Sequence, residues 1–199
     1  MQDKIIEMLR ADMRGEHQAI IQYLFHAYAM GEGELACEIE AIAREEMRHL
    51  DWLADAIIEL GGDPSMDRDP VDFAIDNVSA QMAKDVLLEE GAITQYRAHM
   101  EAIEDEKIRR LLARIVHDEE SHHGDFEHFV EKTATEEQPP EGDPAPAPSP
   151  MAQRLAEIMN QGIRHEYSVL LQYIFHSFVA PDKERAEELQ NIGINEMQH

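Results

Sequence analysis

Three times in this chain a glutamate is followed 30 residues later by a second glutamate and 33 residues later by a histidine. The sets are Glu16, Glu46 and His49; Glu89, Glu119 and His122; and Glu166, Glu196 and His199. The text between them repeats as well. Gln and Tyr stand six and seven residues after each first Glu (Gln22-Tyr23, Gln95-Tyr96, Gln172-Tyr173), and a His stands ten after it (His26, His99, His176). An internal repeat constrains architecture strongly, because each copy is one supersecondary unit that must bury its apolar face against another.

The spacing has a direct geometric meaning. The midpoints of the three copies fall at Gly31, Glu104 and Pro181, and two of them carry turn chemistry, Gly31-Glu32-Gly33 and Ala180-Pro181-Asp182. Folded there, each copy is an antiparallel helical hairpin with its two glutamates facing each other ~22 Å from the turn. Glu and His at i and i+3 share a helix face and can reach one metal. Two such hairpins bring four Glu and two His to the middle of a four-helix bundle. That is the di-iron carboxylate arrangement, with one Glu from each of two helices and Glu-x-x-His from each of the others.

Apolar periodicity places a helix over 2–30, with Ile5, Leu9, Ile20 and Leu24 on its stripe, and a second over 34–60. Gly61-Gly62-Asp63-Pro64 stops the second. Residues 61–80 then form a long connection containing Pro64 and Pro70, with a short helical turn expected at 71–75. Extended, it spans ~65 Å, enough to run beside a ~40 Å helix, so the second and third helices lie parallel. Further helices are expected over 79–103 and 105–133. Residues 135–150 form a Pro/Ala/acidic linker, and two more helices follow over 151–179 and 182–199. The expected fold is all-α: a four-helix bundle with a long crossover in 1–134, the linker, and a half-bundle hairpin in 151–199. That hairpin is either a truncated tandem copy or one completed by another chain.

Composition bounds the function. A net charge of -25 attracts cations and disfavours nucleic acid and anionic membranes as partners. No apolar run reaches about 18 residues, and the Met1-Gln2-Asp3-Lys4 start is no secretory leader, so a cytoplasmic protein is expected. The single Cys37 excludes an intrachain disulfide and a four-thiolate metal site.

Glutamates on an apolar stripe need a reason. Four ionised carboxylates inside a bundle are costly unless compensated, and two divalent cations compensate them. Glu16, Glu46, His49, Glu89, Glu119 and His122 are therefore the candidate metal ligands. Glu90, Glu120 and His123 satisfy the same spacing, but the offsets of Gln95-Tyr96 and His99, and the match of Ala92 to Ala19, select Glu89. Glu45, Glu90 and Glu120 then turn roughly 100° away, toward solvent or behind the ligands. Carboxylates with one imidazole per metal and no thiolate suit iron or manganese; zinc would bind without redox chemistry. Tyr23 and Tyr96 project from nearly the same face as the first Glu, to hydrogen-bond a ligand or to donate an electron. His26, His99 and His176 lie ~15 Å along the helix, too far for the same metal, and read as hydrogen-bonded core or interface histidines. A metal-binding structural or sensor module, with zinc or a static iron pair, is the alternative of another class.

The first 133 residues resemble the ferritin-like superfamily and, within it, the bacterioferritins. Glu16-His-Gln-Ala-Ile-Ile-Gln22-Tyr23-Leu-Phe-His26 is similar to that family's first-helix signature. Glu46-Met47-Arg48-His49 is similar to its second-helix ligand motif, and Asp118-Glu119-Glu120-Ser121-His122 to its fourth. The resemblance implies a dinuclear iron centre with Glu16 and Glu89 as terminal ligands, Glu46 and Glu119 as bridges, and a nitrogen each from His49 and His122. It implies ferroxidase action, in which Fe(II) is oxidised by O2 or H2O2 for storage or detoxification. Met47 stands where the family's haem-ligating Met stands; Met is also a common core residue, so haem is the weaker implication. A rubrerythrin-like peroxide reductase or another di-iron oxidase is the runner-up, although no paired Cys-x-x-Cys accompanies the bundle. Bacterioferritins follow their bundle with one short helix and assemble into cages, whereas here a Pro-rich tether and half a bundle follow. Encapsulated ferritins build an iron site by dimerising a two-helix chain. By that analogy, residues 151–199 are expected to pair between copies in a homo-oligomer, with Glu166, Glu196 and His199 forming a second di-metal site.

Overall fold

The computed structural model of the chain describes residues 2–74, 77–134 and 149–196. Among them the regular elements are α-helices: α1 (Gln2–Met30), α2 (Glu34–Glu59), α3 (Val78–Ala102), α4 (Glu106–Ala134), α5 (Pro150–Phe178) and α6 (Lys183–Glu196). They fall into two compact units, residues 1–136 and 137–199. No described helix is long and apolar enough to cross a membrane.

The ends of the helices follow from local chemistry. Gly31 turns the chain between α1 and α2 at φ 78°, a conformation that side-chain-bearing residues rarely adopt. α2 stops in a Schellman motif, with Gly61 at φ 75°. The Gly61 N–H donates to the Ile58 carbonyl (2.8 Å) and the Gly62 N–H to the Ile57 carbonyl (2.9 Å). Asn77 caps α3 by accepting from the Ala80 N–H at 2.9 Å, and Asp105 caps α4 by accepting from Lys107 and Ile108. Asp105 thus supplies the turn signal that the midpoint Glu104 lacks.

The connection after α2 runs along α1 in the direction of its chain. Arg10 donates to the Asp63 carbonyl, Gln18 to the Pro70 carbonyl, and Gln22 exchanges two hydrogen bonds with the Asp72 backbone. Residues 71–74 are not helical, so the short turn expected there is absent from the part that is described. This long crossover delivers the chain to the far end of α1. α3 therefore descends antiparallel to α1 and parallel to α2, and α4 returns beside α3 and α2.

Leu9, Met13, Ile20, Ile39, Leu50, Leu53, Ile57, Leu112 and Phe126 fill the core. α3 contributes differently: its buried residues are Gln81, Met82, Asp85, Glu89 and Tyr96, so its inner face is held mostly by polar contacts. In the second unit, Ser149 caps α5 and Asp182 caps α6. Gly193 packs against Ile174 and Tyr173, where a Cβ would come 3.1 Å from the Ile174 side chain.

Candidate metal centre

The middle of the first unit gathers Glu16 from α1, Glu46 and His49 from α2, Glu89 from α3, and Glu119 and His122 from α4, all buried. Their ligand atoms form two overlapping groups. Glu16, Glu46, His49 and Glu119 offer atoms within 4.8 Å of one another, and so do Glu46, Glu89, Glu119 and His122. Glu46 and Glu119 belong to both groups. The others split into two equivalent pairs, Glu16 with His49 and Glu89 with His122.

The lone pairs converge instead of pairing off. Glu46 Oε1, Glu89 Oε2, Glu119 Oε1 and His122 Nδ1 are buried without a hydrogen-bond partner. Yet His122 Nδ1 lies 2.8 Å from Glu46 Oε1, and His49 Nδ1 lies 2.9 Å from Glu119 Oε1. These atoms are close but not aligned as donor and acceptor, as expected of donors directed at a shared point between them. Carboxylate and imidazole donors of this kind fit a pair of divalent ions of the iron or manganese type.

Both imidazoles turn Nδ1 inward and Nε2 outward to an acidic residue. His122 Nε2 lies 3.0 Å from Glu45 Oε2, and His49 Nε2 lies 3.5 Å from Asp118 Oδ2. Such outward partners fix ring orientation and raise ligand basicity. Trp52 stacks obliquely on His49 at 5.6 Å, and the Arg114 guanidinium lies over Trp52 at 4.9 Å, so the outer side of His49 is closed. Glu90 and Glu120 are exposed, and the alternative second set does not enter the centre.

The tyrosines cross between hairpins. Tyr23 of α1 donates to Glu89 of α3 at 2.5 Å, and Tyr96 of α3 donates to Glu16 of α1. Burial, joined by repulsion from Glu119 and Glu46, pushes the Glu16 and Glu89 carboxyls well above their ordinary range. Burial pulls both imidazoles down, but the carboxylates around them prevail. His122 is pushed up to about 9, chiefly by Glu46, and His49 is also raised, by Glu119, Glu16 and Glu46. Without metal, Glu16, Glu89, His49 and His122 therefore favour their protonated forms, while, against burial, the two imidazoles hold the Glu46 carboxyl below its ordinary range.

The ferritin-like domain matches residues 6–135. The chain belongs to the ferritin-like family. It is 30% identical over 125 residues to the bacterioferritin of Desulfovibrio desulfuricans, spanning 60% of this chain and 70% of that one. The X-ray structure of a D. desulfuricans bacterioferritin, described as showing its diiron site in different catalytic states, matches with TM-score 0.63 at 29% identity. That match covers 65% of this chain and 80% of the other. Rhodobacter capsulatus bacterioferritin, at 24% identity and TM-score 0.62, covers 71% of this chain and 98% of its own and shares the fold.

Within this ferritin-like domain the structure brings together all six residues singled out as ligands, together with Tyr23 and Tyr96. Met47 is only 4% exposed and packs in the core. Glu166 and Glu196 lie half-buried on α5 and α6 of the second unit, and His199 lies outside the described residues. Spacing alone did not reveal Asp12, Asp85 or Asp118. Asp12 accepts from Gln95 at 2.9 Å and pairs with His99 at 2.8 Å, and Asp85 pairs with His26 at 2.7 Å. The available signal was an Asp four residues before the first Glu in the first two copies. A cavity of about 230 Å³ lies between α1 and α3, walled by Gly15, Ala19, Gly91 and Ala92, and reaches Glu16, Glu89 and Glu119.

Proposed function

We propose that the first unit binds two iron ions and oxidises Fe(II) with O2 or H2O2, in the manner of a ferroxidase serving iron storage or detoxification. The observation that carries this reading is the pair of ligand groups sharing Glu46 and Glu119. One shared pair of carboxylates flanked by two Glu–His pairs suits two adjacent cations, whereas a single-metal site has no use for the duplication. The diiron site named for the D. desulfuricans relative supports iron over manganese.

Two bound Fe(II) would give one electron each and become Fe(III), which with two protons takes O2 to H2O2, or H2O2 to two waters. The protein's own residues make that possible. Glu46 and Glu119, members of both ligand groups, would hold both ions, and Glu16 with His49 and Glu89 with His122 would each hold one. Tyr96 and Tyr23 fix the terminal carboxylates from the opposite hairpin. The cavity between α1 and α3 gives small reactants a path to Glu16 and Glu89, while the apolar core keeps other molecules out. The acidic surface gathers cations. With Met47 inside the core, haem has no part in this reading.

The second unit extends the reading. Ile192 is 40% exposed, whereas its counterparts Ile42 and Ile115 are 6% and 0% exposed. That face is left for another hairpin, which in a second copy of the chain would set its Glu166 and Glu196 against these.

Stopped-flow absorbance after mixing metal-free protein with Fe(II) in air tests the main proposal. The expected result is a Fe(III) transient whose amplitude saturates at about two Fe(II) per first unit. Metal uptake without any oxidation transient would identify a static metal module and refute the ferroxidase reading.

A further inference from the structure

The α1–α3 contact carries two Asp–His couples placed symmetrically about the metal centre, neither of them a ligand. Asp12 of α1 meets His99 of α3, and Asp85 of α3 meets His26 of α1. Each Asp precedes a terminal Glu by four residues on its own helix, and each His follows a tyrosine by three. Each couple thus sits about one helical turn, ~6 Å, beyond a Tyr–Glu bond. Asp12–His99 flanks Tyr96–Glu16, and Asp85–His26 flanks Tyr23–Glu89.

We propose that these couples are positioning residues that set the register of α1 against α3, each governing one metal position: Asp12–His99 the Glu16 position, and Asp85–His26 the Glu89 position. The proposal rests on reading the centre as a two-metal site. Three observations support it. Met82 and Tyr96 are the only fully buried apolar side chains of α3, with Val78, Val86 and Leu88 partly buried against the core, so polar contacts carry much of its register against α1. Both Asp residues and His26 are fully buried, which makes each couple a specific junction rather than a surface ion pair. The third copy of the repeat has Gly162 where the first two have Asp12 and Asp85, and its His176 is exposed.

The couples are built differently, and this predicts different tolerance. Gln22 accepts from the Asp72 N–H and donates to the Asp72 carbonyl, which fixes its amide orientation. Its NH2 group lies 2.9 Å from His26 Nε2, so Nε2 accepts and Nδ1–H donates to Asp85 Oδ2. Asp85 Oδ1 is buried without a partner. An Asn at 85 keeps the bond to His26 through its amide oxygen and puts NH2 where an orphan oxygen was. Asp12 Oδ1 instead faces both Gln95 Nε2 (2.9 Å) and His99 Nδ1 (2.8 Å), with Oδ2 3.0 Å from the same ring nitrogen, so an Asn whose oxygen keeps both donors sets its NH2 close to the His99 N–H.

The test is anaerobic Co(II) titration of the full chain followed by visible absorbance, with thermal melting run alongside. The unmodified first unit is expected to fill two tight positions. Asp12→Ala and Asp85→Ala should each weaken one of them about 10- to 100-fold, the range known for residues behind metal ligands. Asp85→Asn should restore affinity fully, and Asp12→Asn should restore less of it because its NH2 crowds the His99 N–H. A Glu16→Gln background assigns the positions: Asp85→Ala weakens the one remaining tight position there, while Asp12→Ala leaves it unchanged. If the Ala variants lower the melting temperature but leave both affinities intact, or weaken both positions alike in every background, the couples are only structural and the proposal fails. Co(II) bound as expected with no Fe(II) oxidation refutes the ferroxidase reading and leaves this one standing. No Co(II) bound by the unmodified chain refutes both.

Discussion

Glu46 and Glu16 are both buried carboxylates of the same centre, yet the structure gives them unequal weight. Glu46 belongs to both ligand groups, and its two oxygens lie 2.8 Å from His49 Nδ1 and 2.8 Å from His122 Nδ1; Glu16 belongs to one group only. Removing one partner of a buried charge contact costs about 3–5 kcal/mol. At 1.4 kcal/mol per decade, that is a loss of roughly two to three and a half decades in affinity for each ion touched. Glu46→Gln should therefore weaken both ions, and Glu16→Gln only one. Isothermal calorimetry with Fe(II) under argon reads the difference as stoichiometry. Glu46→Gln should leave no tight binding in the first unit, and Glu16→Gln should leave one ion at close to the original affinity. A Glu46→Gln protein that still binds one ion as tightly as the unmodified chain would show that Glu46 is not shared, and the two-metal reading would fall with it.

Four further outcomes are expected. His122 is held up to about 9 from an ordinary 6.5, so its stabilising contribution to the metal-free protein is complete below pH 6.5 and lost as pH rises through about 9. Calorimetric melting should show the metal-free form losing stability across that interval, while metal affinity rises as protons cease to compete. Tyr23→Phe leaves the buried Glu89 oxygen without its donor and should cost about 1–3 kcal/mol in the metal-free protein by denaturant titration, with the loss of metal affinity confined to the Glu89 position. Gly61→Ala meets no neighbouring atom, so its cost is the left-handed backbone alone, about 1–2 kcal/mol, visible as a lowered melting temperature. Ile192→Glu places a charge on the bare face of the α5–α6 hairpin; sedimentation should show weaker self-association than the unmodified chain, and identical behaviour would count against pairing between copies.

The helices were legible because their boundaries are written in local chemistry. The expected spans 2–30, 34–60, 79–103 and 105–133 differ from the observed ones by a residue at most at each end. Gly31 and the Gly61-Gly62 pair act on their own neighbours, and an apolar stripe needs no knowledge of its partner. The ligand set was legible for a related reason. A 30-residue spacing across a hairpin turn converts sequence distance into spatial opposition, and the i, i+3 spacing of Glu and His gives a shared face. What spacing cannot carry is contact between copies. Asp118 faces His49, Glu45 faces His122 and Asp12 faces His99, each across two helices whose relative rotation no single helix specifies. Residues 71–74 depart from the expected turn for a similar reason, since Gln22 binds both the N–H and the carbonyl of Asp72 and holds that backbone against α1.

The third copy separates what binds from what orients. It keeps Glu166, Tyr173, His176 and Glu196 at their spacings, but has Gly162 where Asp12 and Asp85 stand, and Asn195 where Glu45 and Asp118 stand. In the first unit those Asp and Glu residues touch no metal position directly; they hold the α1–α3 register and the imidazole rings. A centre with the ligands but without these partners has flexible carboxylates and less basic imidazoles, which lowers metal affinity by an order of magnitude or two. If the α5–α6 hairpin binds metal with a counterpart, two grades of site would follow from four residues behind the ligands rather than from the ligands themselves. Tight oxidation at the first unit would coexist with looser binding wherever the α5–α6 hairpin finds its counterpart.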